Sequence, residues 1–153
     1  EVGAEGPREI ARFSTANYVE HLAFDPSGRV LAISGGELEL WDRASGRLAE
    51  RFPFWRGGPI AWSPDGRFLA TCGMGRRVEL LECERFRTVR SLGLGAEGRE
   101  ASALLWEPDG SALWIAAAGK RSTLLRYEIA SGVFDAGARR EVDSFVTRMS
   151  WSG

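Results

Sequence analysis

The fold is decided by the segment Ile60-Ala61-Trp62-Ser63-Pro64-Asp65-Gly66-Arg67-Phe68-Leu69-Ala70. Its first three residues place an aliphatic side chain two positions before an aromatic one, which is the period-two alternation of a β-strand. Pro64 presets the backbone φ angle of a tight turn, and Gly66 takes the positive φ angle that closes it. The apolar residues that follow predict a second strand. The segment therefore predicts a β-hairpin.

The same pattern occurs two more times in the chain. The further copies are Leu22-Ala23-Phe24-Asp25-Pro26-Ser27-Gly28-Arg29-Val30-Leu31-Ala32 and Leu104-Leu105-Trp106-Glu107-Pro108-Asp109-Gly110-Ser111-Ala112-Leu113-Trp114. The turn glycines Gly28, Gly66 and Gly110 are separated by 38 and 44 residues. A fourth copy begins at Met149-Ser150-Trp151-Ser152-Gly153. Spacing on this scale is typical of repeats in which each unit is one supersecondary element.

Each repeat is long enough for four short strands. The predicted second strands cover residues 30–33, 68–72 and 113–117, and a third strand is clearest at residues 37–41. A weaker fourth strand is predicted after the turns Ala44-Ser45-Gly46 and Ala130-Ser131-Gly132. Frequent glycines and an apolar period of two argue against long helices. Four antiparallel strands in about 40–45 residues predict an all-β fold, a β-propeller of about three four-stranded blades plus partial flanking blades.

The repeats resemble the WD40 family of propellers. Trp41-Asp42 matches the dipeptide that ends a third strand in that family, and Leu81-Glu82 and Tyr127-Glu128 fill the same position. The family's buried histidine has no counterpart, because the single histidine, His21, lies inside a first strand rather than before it. The family's His–Asp hydrogen-bond network is therefore not expected. Related propellers with the same Pro-Asp-Gly turn, such as periplasmic and peptidase propellers, remain open.

A narrower resemblance is confined to residues 41–84. Trp41-Asp42, Phe52-Pro53-Phe54-Trp55-Arg56-Gly57-Gly58 and Trp62-Ser63-Pro64-Asp65-Gly66 are similar to consecutive blades of the aladin family, WD-repeat subunits of the nuclear pore. An acidic third strand at residues 78–84 also fits, whereas the spacing differs by a deletion between residues 56 and 62. The resemblance implies a scaffold at the nuclear envelope with no catalysis.

The repeats define the predicted domain organisation, a partial propeller over residues 1–153. Three blades are expected at residues 18–57, 58–98 and 99–145. Residues 9–14 are expected to be the last strand of a preceding blade, and residues 146–153 the first strand of a following one. Propellers close with about four to eight blades. The chain is therefore expected to be part of a longer protein or a larger assembly; copies that complete one another are the alternative.

Composition restricts the classes of partner. The 153 residues contain 20 Lys and Arg against 21 Asp and Glu, a net charge of −1, which argues against nucleic acid as a partner bound by bulk charge. Hydrophobic residues make up 44% of the chain, a globular value. No apolar run approaches the roughly 20 residues of a membrane-spanning helix. Other proteins or peptides are therefore the expected partners.

The cysteines and the histidine limit the chemistry. Cys72 and Cys83 flank a predicted hairpin turn with Cys72 opposite about Arg77, so the two thiols are too far apart along the strands for a disulfide. They are expected to be free, mostly buried thiols in a reducing, intracellular compartment. One histidine cannot supply a two-histidine metal site. No Gly-x-Ser-x-Gly elbow is present. No catalytic, metal-binding or cofactor-binding residue is therefore predicted, and no cofactor.

Two groups of residues are candidates for partner binding. Phe54, Trp55 and Arg56 lie on a connection between blades, and aromatic and arginine side chains anchor interfaces. Their alternative role is to cover the blade junction through an arginine stacked on an aromatic ring. The second group, at the turns after two second strands, contains Arg76, Arg77, Lys120 and Arg121. These cations would form a basic rim for an acidic peptide, or a solvated face paired with nearby glutamates.

The function expected from these features is a non-enzymatic scaffold for protein–protein interaction. The aladin resemblance would place it at the nuclear pore; otherwise a cytoplasmic location is expected. The alternative is the propeller portion of a larger hydrolase or signalling enzyme whose catalytic domain lies outside this sequence. Flanking sequence distinguishes the two, because further blades alone would support the scaffold.

Overall fold

The computed structural model describes residues 12, 14–15, 18–53, 57–73, 76–95 and 100–151, and these form three four-stranded antiparallel sheets. The first sheet contains β1 (Val19–Phe24), β2 (Val30–Gly35), β3 (Leu38–Asp42) and β4 (Arg47–Phe52). The second contains β5 (Ile60–Trp62), β6 (Phe68–Gly73), β7 (Arg77–Glu82) and β8 (Arg87–Gly93). The third contains β9 (Glu100–Trp106), β10 (Ala112–Ala118), β11 (Ser122–Glu128) and β12 (Arg140–Val142). Within each sheet the strands are neighbours in chain order, as in propeller blades.

The turn between the first two strands repeats in every blade. Gly28, Gly66 and Gly110 have φ angles of 69°, 72° and 73°, which a residue with a Cβ atom rarely adopts. Each glycine also donates its backbone N–H to the carbonyl three residues earlier. Neighbouring turns contact each other, because the prolines Pro26 and Pro64 lie against Gly66 and Gly110 of the next blade. The predicted Pro-x-Gly turns are confirmed.

Apolar side chains between the sheets hold the blades together. The layer between the first and second blades contains Ala32, Leu38, Leu40, Leu69 and Leu81. The layer between the second and third blades includes Ala70, Leu80, Trp106, Leu113 and Ile115. These residues alternate along the strands, so each sheet has an apolar face toward its neighbour. No described residue belongs to an α-helix, and the all-β fold is confirmed.

Tryptophans on the first strands also join the blades, through two interblade tryptophan bonds. Trp62 Nε1 donates to the Ala23 carbonyl at 3.0 Å, and Trp106 Nε1 donates to the Ala61 carbonyl at 2.9 Å. The acceptors occupy matching positions in successive blades, so β1, β5 and β9 run in the same direction. Trp151 Nε1 continues the series with a 2.7 Å bond to the carbonyl of Trp106 itself.

The third strands end at the predicted dipeptides, since β3, β7 and β11 end at Asp42, Glu82 and Glu128. Asp42 has a structural role there, because its Oδ1 accepts from the backbone N–H and hydroxyl of Ser45 at 2.8 and 2.7 Å. These bonds from Ser45 hold the pKa of Asp42 below its ordinary value. The acidic residue therefore closes the turn into the fourth strand.

The fourth strand of the third blade differs from the prediction. After the turn at residues 130–132, Phe134 forms an isolated bridge with Tyr127 and the chain then enters a 3-10 helix, Ala136–Ala138. Asp135 begins this helix by accepting the Gly137 N–H at 2.9 Å. Only the short β12 rejoins the sheet, next to residues 122–124. The helix replaces the strand that the turn alone would predict.

The two predicted flanking strands have different outcomes. The strand at residues 9–14 falls largely outside the described residues. Residues 146–151 form no regular strand. Their hydrogen bonds go to the third blade instead: Val146 N–H donates to Ser122 Oγ at 3.2 Å, and Ser102 Oγ donates to the Val146 carbonyl at 2.5 Å. One sheet lies within each predicted blade range, and the exact boundaries remain a prediction.

Both cysteines are free, as predicted. The expected register was wrong by one residue, since Cys72 lies opposite Val78 and Gly73 lies opposite Arg77. The turn is shorter than expected because β6 extends through Gly73. Cys72 is buried and Cys83 is half-buried.

Candidate functional site

The predicted cationic residues lie at one end of the blades. Second strands run toward this end, so the β2–β3, β6–β7 and β10–β11 turns all lie there. We call Arg76, Arg77, Lys120 and Arg121 the basic rim, because two adjacent blades contribute them to this end. Lys120 and the three arginines are all exposed. The opposite end carries the Pro-x-Gly turns.

The second blade contributes one paired and one unpaired arginine to the basic rim. Arg76 has a positive φ angle of 64°, and its carbonyl accepts the Leu94 N–H at 3.2 Å. Its guanidinium makes no ion pair within the described ranges. Arg77 Nε donates to Ser91 Oγ at 2.5 Å and lies 3.9 Å from Glu79 Oε1. Arg77 is therefore held on its own sheet, whereas Arg76 faces solvent.

The third blade repeats this arrangement. Arg121 Nε lies 3.1 Å from Asp143 Oδ1, with both side chains well exposed. Lys120 makes no ion pair with any residue that the structure describes. Exposed pairs of this kind contribute about 0–1 kcal/mol and exchange readily with other partners. The second and third blades thus each present one cation paired to a neighbour and one directed to solvent.

Phe54, Trp55 and Arg56 lie outside the described residues. The two glycines that follow them, Gly57 and Gly58, could not carry a side chain without a steric clash. A Cβ atom at Gly57 would lie 2.6 Å from the Gly35 carbonyl oxygen, and one at Gly58 would lie 2.9 Å from Cys72 Cβ. Gly58 also exchanges hydrogen bonds with the Ser34 hydroxyl, which donates to its carbonyl at 2.5 Å. The connection therefore enters the second blade through a space without room for a side chain.

Acidic residues at the same end are mostly paired. Glu39 is almost fully buried, and its carboxylate accepts from Trp41 Nε1 at 2.9 Å and from Arg51 at 3.1 Å. Glu37 lies 3.4 Å from the same Arg51. Glu79 accepts from the Ser91 hydroxyl at 2.6 Å. These carboxylates are paired on their own sheets. Glu20 and Glu100 at the same end are exposed without an ion pair to a described residue, so they share this surface with the open rim cations.

A second charged cluster surrounds Glu107 on the third blade. Arg126 donates Nε to Oε1 at 2.7 Å and Nη2 to Oε2 at 2.9 Å, a bidentate pair. Trp114 Nε1 and Ser111 Oγ donate to the same carboxylate at 3.0 and 2.9 Å. The hydrogen bonds and the charge of Arg126, together with the hydrogen bonds from Ser111 and Trp114, lower the pKa of Glu107 to about 2. Because both of its oxygens already accept hydrogen bonds, this carboxylate stabilises the fold and is a poor proton acceptor.

The sequence patterns did not reveal this cluster, because its members are separated by up to 19 residues. One signal was available. Glu107 occupies the place that Asp25 and Ser63 hold in the other Pro-x-Gly turns. A longer acidic side chain there reaches across the sheet to Arg126 on β11 instead of bonding only to its own turn.

The candidate nucleophiles are inactive in this fold. Burial raises the pKa of Cys72 to about 12, and the pKa of Cys83 is raised to about 12 by burial and by the charges of Asp25, Asp65 and Glu82. Both thiols are therefore protonated at neutral pH and poorly nucleophilic. His21 is exposed on β1, opposite Ser34. Within the described ranges, no three His, Cys, Asp or Glu side chains are grouped to hold a metal ion.

One buried hydroxyl has no partner. Thr71 Oγ1 on β6 is buried without a hydrogen bond from any described group. Thr71 lies opposite Ile60 on β5 and Glu79 on β7.

The helices of the described residues include none that is long and apolar enough to cross a membrane.

Comparisons with known proteins agree with the geometry. Residues 60–80 match the family model described as WD domain, G-beta repeat, a range that covers β5, β6 and most of β7. The fold is similar to the solved structure titled "Structure of U3-55K", with a TM-score of 0.72 and 14% sequence identity over 83% of this chain. This chain spans 40% of the length of that protein. No curated protein matches the sequence. The fold is that of WD40-type propeller blades, and the findings support the predicted WD40 resemblance.

Proposed function

We propose that this chain is part of a β-propeller that binds partner proteins or peptides and does not catalyse a reaction. WD40-type repeats are a common framework for protein–protein interaction, which supports the general role. The raised pKa values of Cys72 and Cys83 argue against a thiol nucleophile at either position. The rigid, closely packed blades would serve to present a surface rather than to perform chemistry.

The observation that carries the proposal is the pair of open cations on the basic rim. Arg76 and Lys120 project from equivalent turns of adjacent blades, and neither has an ion-pair partner in the described ranges. Arg77 and Arg121 lie beside them with exposed partners that an acidic ligand could replace. Phe54, Trp55 and Arg56 belong to the connection between Pro53 and Gly57 and are proposed to contribute to the same interface. The partner expected here is an acidic peptide segment.

The rim is tested with a labelled peptide that has glutamate at alternate positions. Replacing Arg76, Arg77, Lys120 and Arg121 together by serine should weaken its binding at least about tenfold, because four positive charges are removed from one end. The matched control also removes four positive charges, by replacing exposed arginines at the opposite end with serine: Arg29, Arg47, Arg67 and Arg85. Equal weakening by the control variant would show that only bulk charge is measured, and an unchanged affinity in the rim variant would refute the proposal.

The finer role, a scaffold subunit of the nuclear pore, comes from the aladin resemblance alone. It predicts that the full-length protein, fluorescently tagged, concentrates at the nuclear envelope. A diffuse cytoplasmic distribution would contradict this role and would leave the peptide-binding proposal standing.

A further inference from the structure

The outer edges of the second and third blades enclose an open concavity of about 500 Å³. We call it the interblade groove and define it by the residues that line it: Arg90, Ser91, Leu92, Gly93, Tyr127, Gly132 and Phe134. It lies on the side of the blades and reaches the basic rim at Ser91 and Gly93, which contact Arg77. None of the sequence patterns pointed to it.

The groove exists because the third blade departs from the repeat. The fourth strands β4 and β8 pair along most of the adjacent third strand. In the third blade this pairing is split into the bridge between Tyr127 and Phe134 and the short β12 beside residues 122–124, with the 3-10 helix between them. The concavity lies between the irregular segment around Phe134 and the end of β8, since residues 90–93 and Phe134 both line it.

Arg90 is fixed at the wall of this groove. Its Nη1 donates to Tyr127 Oη at 3.0 Å and to the Ile129 carbonyl at 2.8 Å, and its guanidinium carbon lies 5.9 Å from the centre of the Tyr127 ring. A Cβ atom at Gly132 would lie 3.4 Å from Nη1, so the turn approaches closely. Nε and Nη2 make no hydrogen bond to any described residue. These two donors form the fork that binds a carboxylate in bidentate geometry.

The groove also offers apolar surface. Leu92 and Tyr127 are buried at its base, and Phe134 packs edge-on against the Tyr127 ring with the ring centres 5.3 Å apart. The arginine is thus placed next to aliphatic and aromatic surface. Fixed arginine and aromatic groups side by side are the usual anchors of protein interfaces.

The equivalent surface between the first and second blades lacks this chemistry. Glu50 lies opposite Leu40 there, as Arg90 lies opposite Leu80. Leu81 stands in the place of Tyr127 before the acidic end of the third strand. The earlier junction therefore presents an acid where the groove presents a fixed base, and the groove is a feature of one junction rather than of the repeat.

We propose that the interblade groove binds an extended segment of a partner protein that carries an acidic residue next to an aliphatic one. The carboxylate pairs with Nε and Nη2 of Arg90, and the aliphatic side chain packs on Leu92 and Phe134. Recognition is through side chains, because the β-bulge in β8 opposite Leu80 and Leu81 disfavours addition of a full strand. This inference rests on the proposed peptide-binding role, and its recognition residue, Arg90, is not part of the basic rim.

The probe is a seven-residue peptide with a central glutamate between leucine and valine, and its match has glutamine at the centre. Titration into the ¹⁵N-labelled protein should shift the backbone amides of Ser91, Gly93 and Gly132. The glutamine peptide should bind at least about tenfold more weakly, since the bidentate charged pair is lost. Arg90→Gln should cause a similar loss, whereas Arg85→Gln, which removes an exposed charge outside the groove, should change the affinity less than about twofold.

Three outcomes would contradict the proposal that the groove binds an acidic segment: no saturable binding up to about 1 mM, equal affinity for the two peptides, or equal effects of Arg90→Gln and Arg85→Gln. If the third outcome is seen together with a loss of binding in the serine variant of the basic rim, the result supports the rim instead of the groove. The comparison of the two peptides on the unmodified protein needs no variant. Arg90→Lys, which keeps the charge without the fork, serves as the second variant if Arg90→Gln does not fold.

Discussion

The carboxylate of Glu107 should make the stability of the protein depend on pH in a defined window, and Glu107→Gln should remove that dependence. Glu107 is about 18% exposed and receives bonds from Arg126, Trp114 and Ser111. Its pKa is lowered from 4.5 to about 2. At about 1.4 kcal/mol for each pKa unit, the ionised carboxylate stabilises the folded state by about 3 kcal/mol at neutral pH.

The direction follows from the lower pKa in the folded state. The stabilisation is complete above about pH 4.5, the ordinary value for glutamate, and is lost as the pH falls through about 2. Glu107→Gln should therefore lower the free energy of unfolding by up to about 3 kcal/mol at pH 7. The difference from the unmodified protein should shrink steadily between pH 4.5 and pH 2, because glutamine resembles the protonated acid.

Urea unfolding followed by circular dichroism at several pH values measures this difference. Glu128→Gln is the matched control, since Glu128 contacts the same Arg126 at 2.9 Å but is 43% exposed. Its removal should cost below about 1 kcal/mol. High salt should reduce the effect of the control more than that of Glu107→Gln, because buried pairs are screened less. A Glu107→Gln effect that is equal to the control, or that is constant down to pH 2, would refute the reasoning.

Three further predictions concern buried or half-buried groups. Thr71→Val removes a hydroxyl without a described partner, so it should leave the stability unchanged or raise it by about 1 kcal/mol in a thermal melt. Ser34→Ala breaks the bonds to Gly58 and should cost about 1–2 kcal/mol. A large loss of stability in Thr71→Val would reveal a partner for that hydroxyl. Trp106→Phe should lower the free energy of unfolding by about 2–4 kcal/mol, because it leaves the Ala61 carbonyl without its hydrogen bond and reduces packing. Trp151→Phe should cost less, since that ring is 49% exposed, and equal losses in the two variants would contradict the burial argument. Cys72 and Cys83 should resist alkylation at pH 7 until the protein unfolds, and rapid labelling followed by mass spectrometry would disprove the raised thiol pKa values.

Local patterns predicted the repeated parts of the fold because those parts depend on neighbouring residues. The positive φ angles at Gly28, Gly66 and Gly110 require glycine, and the alternation around them gives the first hairpin of each blade. Each third strand ends at its predicted acidic residue for a similar local reason, since Asp42 bonds to Ser45 three positions later. Such interactions are visible in a single sequence.

The candidate sites were harder to predict because they depend on residues that are distant in the chain. Arg90 and Tyr127 are 37 residues apart, and Glu107 and Arg126 are 19 apart. The sequence placed Arg76, Lys120 and Arg121 on turns after the second strands, whereas Arg77 is the first residue of β7. It could not show that Arg77 and Arg121 have ion-pair partners while Arg76 and Lys120 have none among the described residues. Pairing of exposed side chains is decided by the register between strands, which composition does not contain.

Repetition and departure from repetition have different consequences in this chain. The Pro-x-Gly turns, the interblade tryptophan bonds and the apolar layers recur, and each of them stabilises the junction between two blades. The features that offer a partner something to bind occur once or twice: the open cations of the basic rim, and the groove beside Arg90 where the fourth strand of the third blade leaves the sheet. The repeated turns, tryptophans and apolar residues are buried in contacts between blades. The positions that remain available to another protein are therefore the ones that do not take part in those contacts.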